Sequence, residues 1–84
     1  MNKKISMHDY LKHIAENVKL EINKTDIECY DVEIFLINSN QGQILFSLIK
    51  NNKKYKDLET VDFDCNIDLA IKIIKENILI NVRW

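Results

Sequence analysis

Asp9 and His13 stand four residues apart in a stretch that reads as helix. A carboxylate one turn away from an imidazole is the arrangement that orients a general base. An ordinary surface ion pair has the same spacing. No Ser, Cys or Lys nucleophile accompanies the pair, and the single glycine of the chain leaves no Gly-rich loop to hold an anion. His8 lies five positions from His13 and so off its face, which argues against a two-histidine metal site on this helix. Cys29 and Cys65 form no C-x-x-C pair and have no histidine pair at zinc-finger spacing, so they read as two buried free thiols. These residues predict no catalytic, cofactor or metal site, and the chain reads as a non-enzyme.

A second group is Asp62, Asp64, Asn66 and Asp68, which alternate with Phe63, Cys65 and Ile67. The pattern resembles the start of a calcium-binding EF-hand loop. It departs from that loop where the chemistry is decided: Ile67 occupies the position that needs Gly for the sharp turn, and Ile73 the one that needs a bidentate Glu. The spacing instead predicts that Asp64 or Asn66 caps a helix, with neighbouring carboxylates favourably placed at its positive end.

The same region carries a charge polarity. Lys50, Lys53, Lys54 and Lys56 are followed by Asp57, Glu59, Asp62, Asp64 and Asp68. Such a contrast steers association with a charged protein surface, and the acidic stretch is suited to a basic groove that normally receives nucleic acid. A solvated charged loop is the plainer alternative.

The 84 residues make one domain, of a size that buries only about 60 to 65% of its surface on folding. A hydrophobic fraction of 46% with 30% charged residues excludes a disordered class, and no apolar run is long enough to span a bilayer. Lys3 and Lys4 are followed by His8, Asp9 and Lys12 where a signal peptide would have an apolar core, so a cytoplasmic location is expected, in a bacterium or a phage-infected cell. Asn, Ile and Lys dominate and Pro is missing, the bias of an AT-rich genome. In such a chain Asn takes over turn positions that elsewhere use Gly.

The elements follow from periodicity. Ser6 and Asp9 form a capping box with Asp in place of Glu, ahead of Met7, Tyr10, Leu11, Ile14 and Val18 at helical spacing, so a first helix begins near Met7. Val18, Leu20 and Ile22 alternate with Lys19 and Glu21 and favour a strand, although Val18 and Ile22 also continue the helical stripe. A second helix after Asn66 uses Ile67, Ala70, Ile71, Ile74 and Ile78 on one face. Leu69 and Ile73 lie on another arc. Ile78, Ile80, Val82 and Trp84 then favour a closing strand. Asn17 and Asn77, each followed by an apolar residue, are expected as αL helix stops, with coincidence in an Asn-rich chain as the alternative.

Between the helices lies a meander. Asp31 to Lys50 is a hairpin around Gly42, and it is apolar on both faces. Val32, Ile34 and Leu36 point opposite to Phe35 and Ile37, and Ile44, Phe46 and Leu48 opposite to Leu45 and Ile49. Asn51-Asn52 suits a type I′ turn into a third strand from about Lys53 to Glu59, whose lysines read as protection of a sheet edge. The expected fold is α+β: a mainly antiparallel sheet of three to five strands with two helices. If both helices share one face, the other presents either Phe35, Ile37, Leu45 and Ile49 or the Val32 and Phe46 set.

Helix, three antiparallel strands, helix resembles the element order of the double-stranded RNA-binding domain over most of the chain. That family carries a basic Lys-Lys-x-Ala-Lys type sequence at the start of its second helix, where Asp64, Asn66 and Asp68 stand here, and a nucleic-acid partner is therefore disfavoured. Tyr55 is a lone aromatic among the lysines, short of a stacking platform.

The expectation is a small non-catalytic protein that binds protein, either a target it inhibits or a second copy of itself as a homodimer. Its size and composition fit an accessory protein of a phage or mobile element, of the anti-CRISPR or anti-defence kind. Antitoxin and immunity protein are alternatives. The candidate contact residues are Phe35, Ile37, Leu45, Ile49, Asp57, Glu59, Asp62, Asp64 and Asp68. No cofactor, small molecule or membrane is implied.

Overall fold

A computed structural model describes residues 6–64 and 66–83 as two helices and three strands, in the order α1 (Met7–Ile22), β1 (Glu28–Leu36), β2 (Gln41–Lys50), β3 (Lys53–Asp62) and α2 (Ile67–Arg83). The fold is α+β, with an antiparallel sheet in the strand order β1-β2-β3. β2 is therefore the central strand, and β1 and β3 are edges.

α1 starts where its cap dictates. The Ser6 hydroxyl accepts the Asp9 N–H at 3.1 Å, and Tyr10, Leu11, Ile14, Ala15, Val18 and Ile22 form its buried stripe. Val18–Ile22 is the last turn of this helix and not a strand. Val18 and Ile22 are both fully buried, as an i,i+4 pair on one stripe must be, whereas Leu20, which a strand would place beside them, is 62% exposed. Nor does Asn17 stop the helix. Its side chain donates to the His13 carbonyl at 2.8 Å while the helix continues.

The stop comes at Asn23, in the αR conformation, and its side chain fixes the exit. Its Oδ1 accepts the Cys29 N–H at 2.7 Å and its Nδ2 donates to the Cys29 carbonyl at 3.3 Å, so one amide imitates a strand pairing. The Thr25 hydroxyl donates to the Ile22 carbonyl at 2.6 Å and accepts the Ile27 N–H at 3.1 Å. Helix-end groups that would otherwise lack partners are satisfied in this way.

α2 is capped by Asn66, whose Oδ1 accepts the Leu69 N–H at 3.0 Å. It runs helical through Asn77 to Arg83, so the expected closing strand is absent over residues 78–83. Trp84 lies outside the described residues. The physical reason repeats that of α1: Ile78 and Val82 are buried four residues apart, and Ile80 between them is 56% exposed. A packed i,i+4 stripe outweighs the weak strand preference of β-branched residues.

In the sheet, Val32 faces Phe46 and Ile34 faces Ile44 across β1 and β2, and Phe46 faces Asp57 and Leu45 faces Leu58 across β2 and β3. Tyr30 is the extra residue of a bulge in β1. The β2–β3 turn is made by Asn51 and Asn52, both left-handed at φ 53° and 64°, as a type I′ turn requires. The β1–β2 turn relies on Asn38, whose side chain accepts the N–H groups of Asn40 and Gln41 at 2.7 and 2.9 Å.

Gly42 is not in that turn. It pairs with Leu36 inside the sheet, and a Cβ there would sit 2.2 Å from Leu11 Cδ1. The glycine is where α1 presses a leucine onto the strand. Both helices lie on this side, over Ile44, Phe46 and Leu48, each fully buried. Tyr10 and Phe63 add an edge-to-face contact with ring centroids 5.2 Å apart, and Lys75 of α2 binds Glu21 of α1 at 3.2 Å.

Because Leu11 is fully enclosed, Gly42→Ala is expected to overpack this contact and lower stability by about 1 to 3 kcal/mol in urea unfolding. An unchanged midpoint would show that Leu11 has room to move.

Candidate functional site

With both helices on one side, the opposite face of the sheet carries no element of the described chain. Strand alternation and register place its residues in cross-strand rows: Glu28–Ile49–Lys54, Asp31–Ser47–Lys56, Glu33–Leu45–Leu58 and Phe35–Gln43–Thr60. Phe35 is 42% and Leu58 52% exposed, and Leu45 and Ile49 are half-buried by their sheet neighbours alone. Ile37 follows the end of β1, donates its N–H to the Gln41 carbonyl at 3.0 Å, and is 49% exposed. The expected set of Phe35, Ile37, Leu45 and Ile49 is thus the uncovered one, and the Val32 and Phe46 set packs under the helices.

The rows reveal what the separate segments did not. Leu58 joins the apolar centre, beside Leu45. On β1 the face carries a column of acids, Glu28, Asp31 and Glu33, and on β3 a pair of bases, Lys54 and Lys56. No salt bridge links the two columns. Lys56 reaches inward to donate to the Ser47 hydroxyl at 2.7 Å. At the far end the face becomes polar, with Gln43 Nε2 donating to Thr60 Oγ1 at 3.3 Å and Gln41 Nε2 to Asp62 Oδ1 at 2.8 Å. Lys54, Lys56 and Leu58 could have been found by counting cross-strand partners outward from the Asn51-Asn52 turn, whereas the β1 acids depend on the other turn and on the bulge at Tyr30.

A second exposed strip lies on α2, where Leu69, Ile73 and Ile80 face outward with Glu76 among them. It is narrower than the sheet face and interrupted by charge.

The acidic stretch does not form one surface. Asp57 and Glu59 point inward beneath α2, Asp62 and Asp64 line a polar groove with Asn38, Ser39 and Asn40, and Asp68 lies in the first turn of α2. The lysines divide too, with Lys53 on the opposite face from Lys54 and Lys56, and Lys50 paired with Asp26 at 3.7 Å. Tyr55 is half-buried against the core, so it offers no exposed platform to a base.

The other candidate chemistry is likewise dispersed. Asp9 lies 3.9 Å from His8, and His13 is hydrogen-bonded to Asn17, so no Asp9–His13 dyad forms. Among the described residues no three His, Cys, Asp or Glu side chains converge on a metal position. Cys29 is buried, and desolvation raises its thiol pKa, which keeps it in the unreactive form. Cys65 lies outside the described residues. No helix among the described residues is long and apolar enough to cross a membrane.

No family model, no curated protein and no solved structure matches this chain.

Asp57, which is buried, and Glu59, which is half-buried, form a carboxyl pair that sequence patterning did not reveal, although they share the parity of Tyr55 and Val61 and face Asn77 and Asn81, one helical turn apart. Asn81 Nδ2 donates to Asp57 Oδ1 at 2.7 Å and Asn77 Nδ2 to Glu59 Oε1 at 3.0 Å. Asp57 Oδ2 is buried with no donor unless Glu59 keeps its proton. Burial first, and then the hydrogen bond to Asp57, push the Glu59 carboxyl up to about 7.

The folded protein therefore holds a proton that the unfolded chain releases, starting near the ordinary value of 4.5. This contribution to stability is complete below pH 4.5 and is lost as pH rises through about 7. Glu59→Gln supplies a permanent donor and removes that dependence. Its unfolding temperature relative to wild type is expected to rise between pH 5 and pH 8, and a pH-independent difference would refute the shared proton.

Proposed function

We propose that this chain is a small non-catalytic module that binds protein through the helix-free face of its sheet. The observation that carries the reading is the apolar centre of that face, Phe35, Leu45 and Leu58, over which none of the described elements packs. Exposed apolar patches of this kind on small domains mark interaction surfaces. The charges flanking the centre favour a protein partner, since they give the face an orientation that a lipid or an apolar ligand would not use.

Such a module works by occupying a surface. It suits a cytoplasmic accessory protein of a phage or mobile element that inhibits a host protein, in the anti-CRISPR or anti-defence manner, and it also suits an antitoxin or immunity protein. The α-β-β-β-α order keeps a nucleic-acid reading as the alternative. Against it stand Asn66 and Asp68 at the start of α2, where phosphate contacts would require lysines, and a net charge of −1.

The test compares Leu45→Arg/Leu58→Arg with Leu20→Arg, a control on the exposed side of α1. Both proteins are expected to fold with nearly unchanged unfolding temperatures. The sheet variant should lose the protein partners that wild type and control retain from a lysate of the source cell. Retained binding by the sheet variant, or a salt-dependent gel shift with duplex RNA in place of protein binding, would overturn the proposal.

A further inference from the structure

Taking the sheet face as the docking surface, we infer that its occupant is a second copy of this chain, stacked face to face about a twofold axis that runs parallel to the strands. The acidic column of β1 and the lysines of β3 flank the same central strand at the same level: Glu28 and Lys54 share a row, as do Asp31 and Lys56. Two strand spacings, about 9.6 Å, separate them, and no ion pair joins them within one copy.

A twofold axis along β2 exchanges left and right while keeping the level. It lays each β3 of one copy over β1 of the other, so Lys54 and Lys56 meet the partner copy's acids twice over, and Leu45 meets its own counterpart at the centre. The twofold axis across the strands instead sets acids over acids and lysines over lysines. Charge therefore selects one orientation, within the family of aligned sheet packings whose strands cross at about 30° or less. The bond from Lys56 to Ser47 uses one of its three ammonium hydrogens and leaves two for a carboxylate above.

Side-by-side pairing is the other closed route, and charge opposes it at one edge. Joining β1 to β1 antiparallel about Val32 brings Asp31 against the second copy's Glu33, whereas joining β3 to β3 about Leu58 sets Lys54 opposite Asp62 and buries none of the apolar face. Pairing β1 with β3 is complementary but does not close, and so would propagate as a fibre.

Size sets the strength. A face of three strands, the longest of 10 residues, measures roughly 33 by 14 Å, so stacking two copies buries on the order of 1,000 Å² in total. That is the lower limit for a specific interface and fits a reversible dimer more than a permanent one.

The experiment is sedimentation velocity over a concentration series, on the full chain, with two charge-reversed variants. Lys54→Glu/Lys56→Glu makes the whole face acidic, and Glu28→Lys/Asp31→Lys makes it basic. Wild type should show a monomer–dimer equilibrium that weakens with salt. Each variant alone should lose at least about tenfold in self-association, and an equimolar mixture of the two should dimerise again.

The mixture also controls for folding, because misfolded variants would not restore each other. Wild type that stays monomeric up to millimolar concentration overturns the inference while leaving the face open to a different protein. A dimer that withstands both charge reversals, or variants that fail to rescue each other, overturns it as well. If that dimer also withstands Leu45→Arg/Leu58→Arg, this self-association does not use the sheet face. The docking reading falls if foreign partners are also retained by the same variant.

Discussion

Burial of Ile44, Phe46 and Leu48 on one side of β2 is the constraint on which the remaining structure depends. β2 is the central strand, so its inward side chains are the ones that both helices can reach, α1 from over β1 and α2 from over β3. With two helices there is enough apolar surface to close one such layer and no more. α1 supplies Leu11, Ile14, Val18 and Ile22, and α2 supplies Ile74, Ile78 and Val82. Among the described residues both helices are used on that side, so neither covers the opposite face, and its leucines and phenylalanine follow from the strand alternation that buries the inner set.

The same constraint explains the polar features. β3 must turn Tyr55 and Val61 inward to complete the layer, and strand parity then carries Asp57 and Glu59 inward with them. Two carboxyls under a helix are tolerable because Asn77 and Asn81, one turn apart on α2, donate to them and because burial pushes the Glu59 carboxyl up to about 7. Turning those acids inward leaves Lys54 and Lys56 on the outer side of β3, opposite the acids of β1. The charge asymmetry of the open face and the inward carboxyl pair are thus two consequences of one register.

Much of this was legible in the sequence wherever a residue's chemistry acts locally. Ser6 with Asp9 marked the first helix start, Asn51-Asn52 the tight turn, and the alternation of Val32 to Ile37 and Ile44 to Ile49 the two faces of the hairpin. The helix ends were not legible, because residues 18 and 22, like residues 78 and 82, fit a stripe of period 3.6 and an alternation of period 2 equally well. The residues that would discriminate are Leu20 and Ile80, and both are apolar despite being exposed. Gly42 looked like a turn residue because its real role, contact with Leu11, is a tertiary fact. The candidate contact set divided for the same reason: Phe35, Leu45 and Ile49 follow from alternation within one hairpin, whereas the inward turn of Asp57 and Glu59 and the addition of Leu58 depend on the pairing of β3.

The central claim is that one face of the sheet is sealed by both helices while the other is available to a partner. Methyl-labelled NMR with a soluble paramagnetic agent tests it most directly. In dilute protein the Leu45 and Leu58 methyls are expected to relax strongly while Ile44, Leu48 and Ile78 are protected, with Leu45 and Leu58 becoming protected as association proceeds. Protection of Leu45 and Leu58 in the dilute monomer, or their continued exposure once a complex has formed, would contradict it.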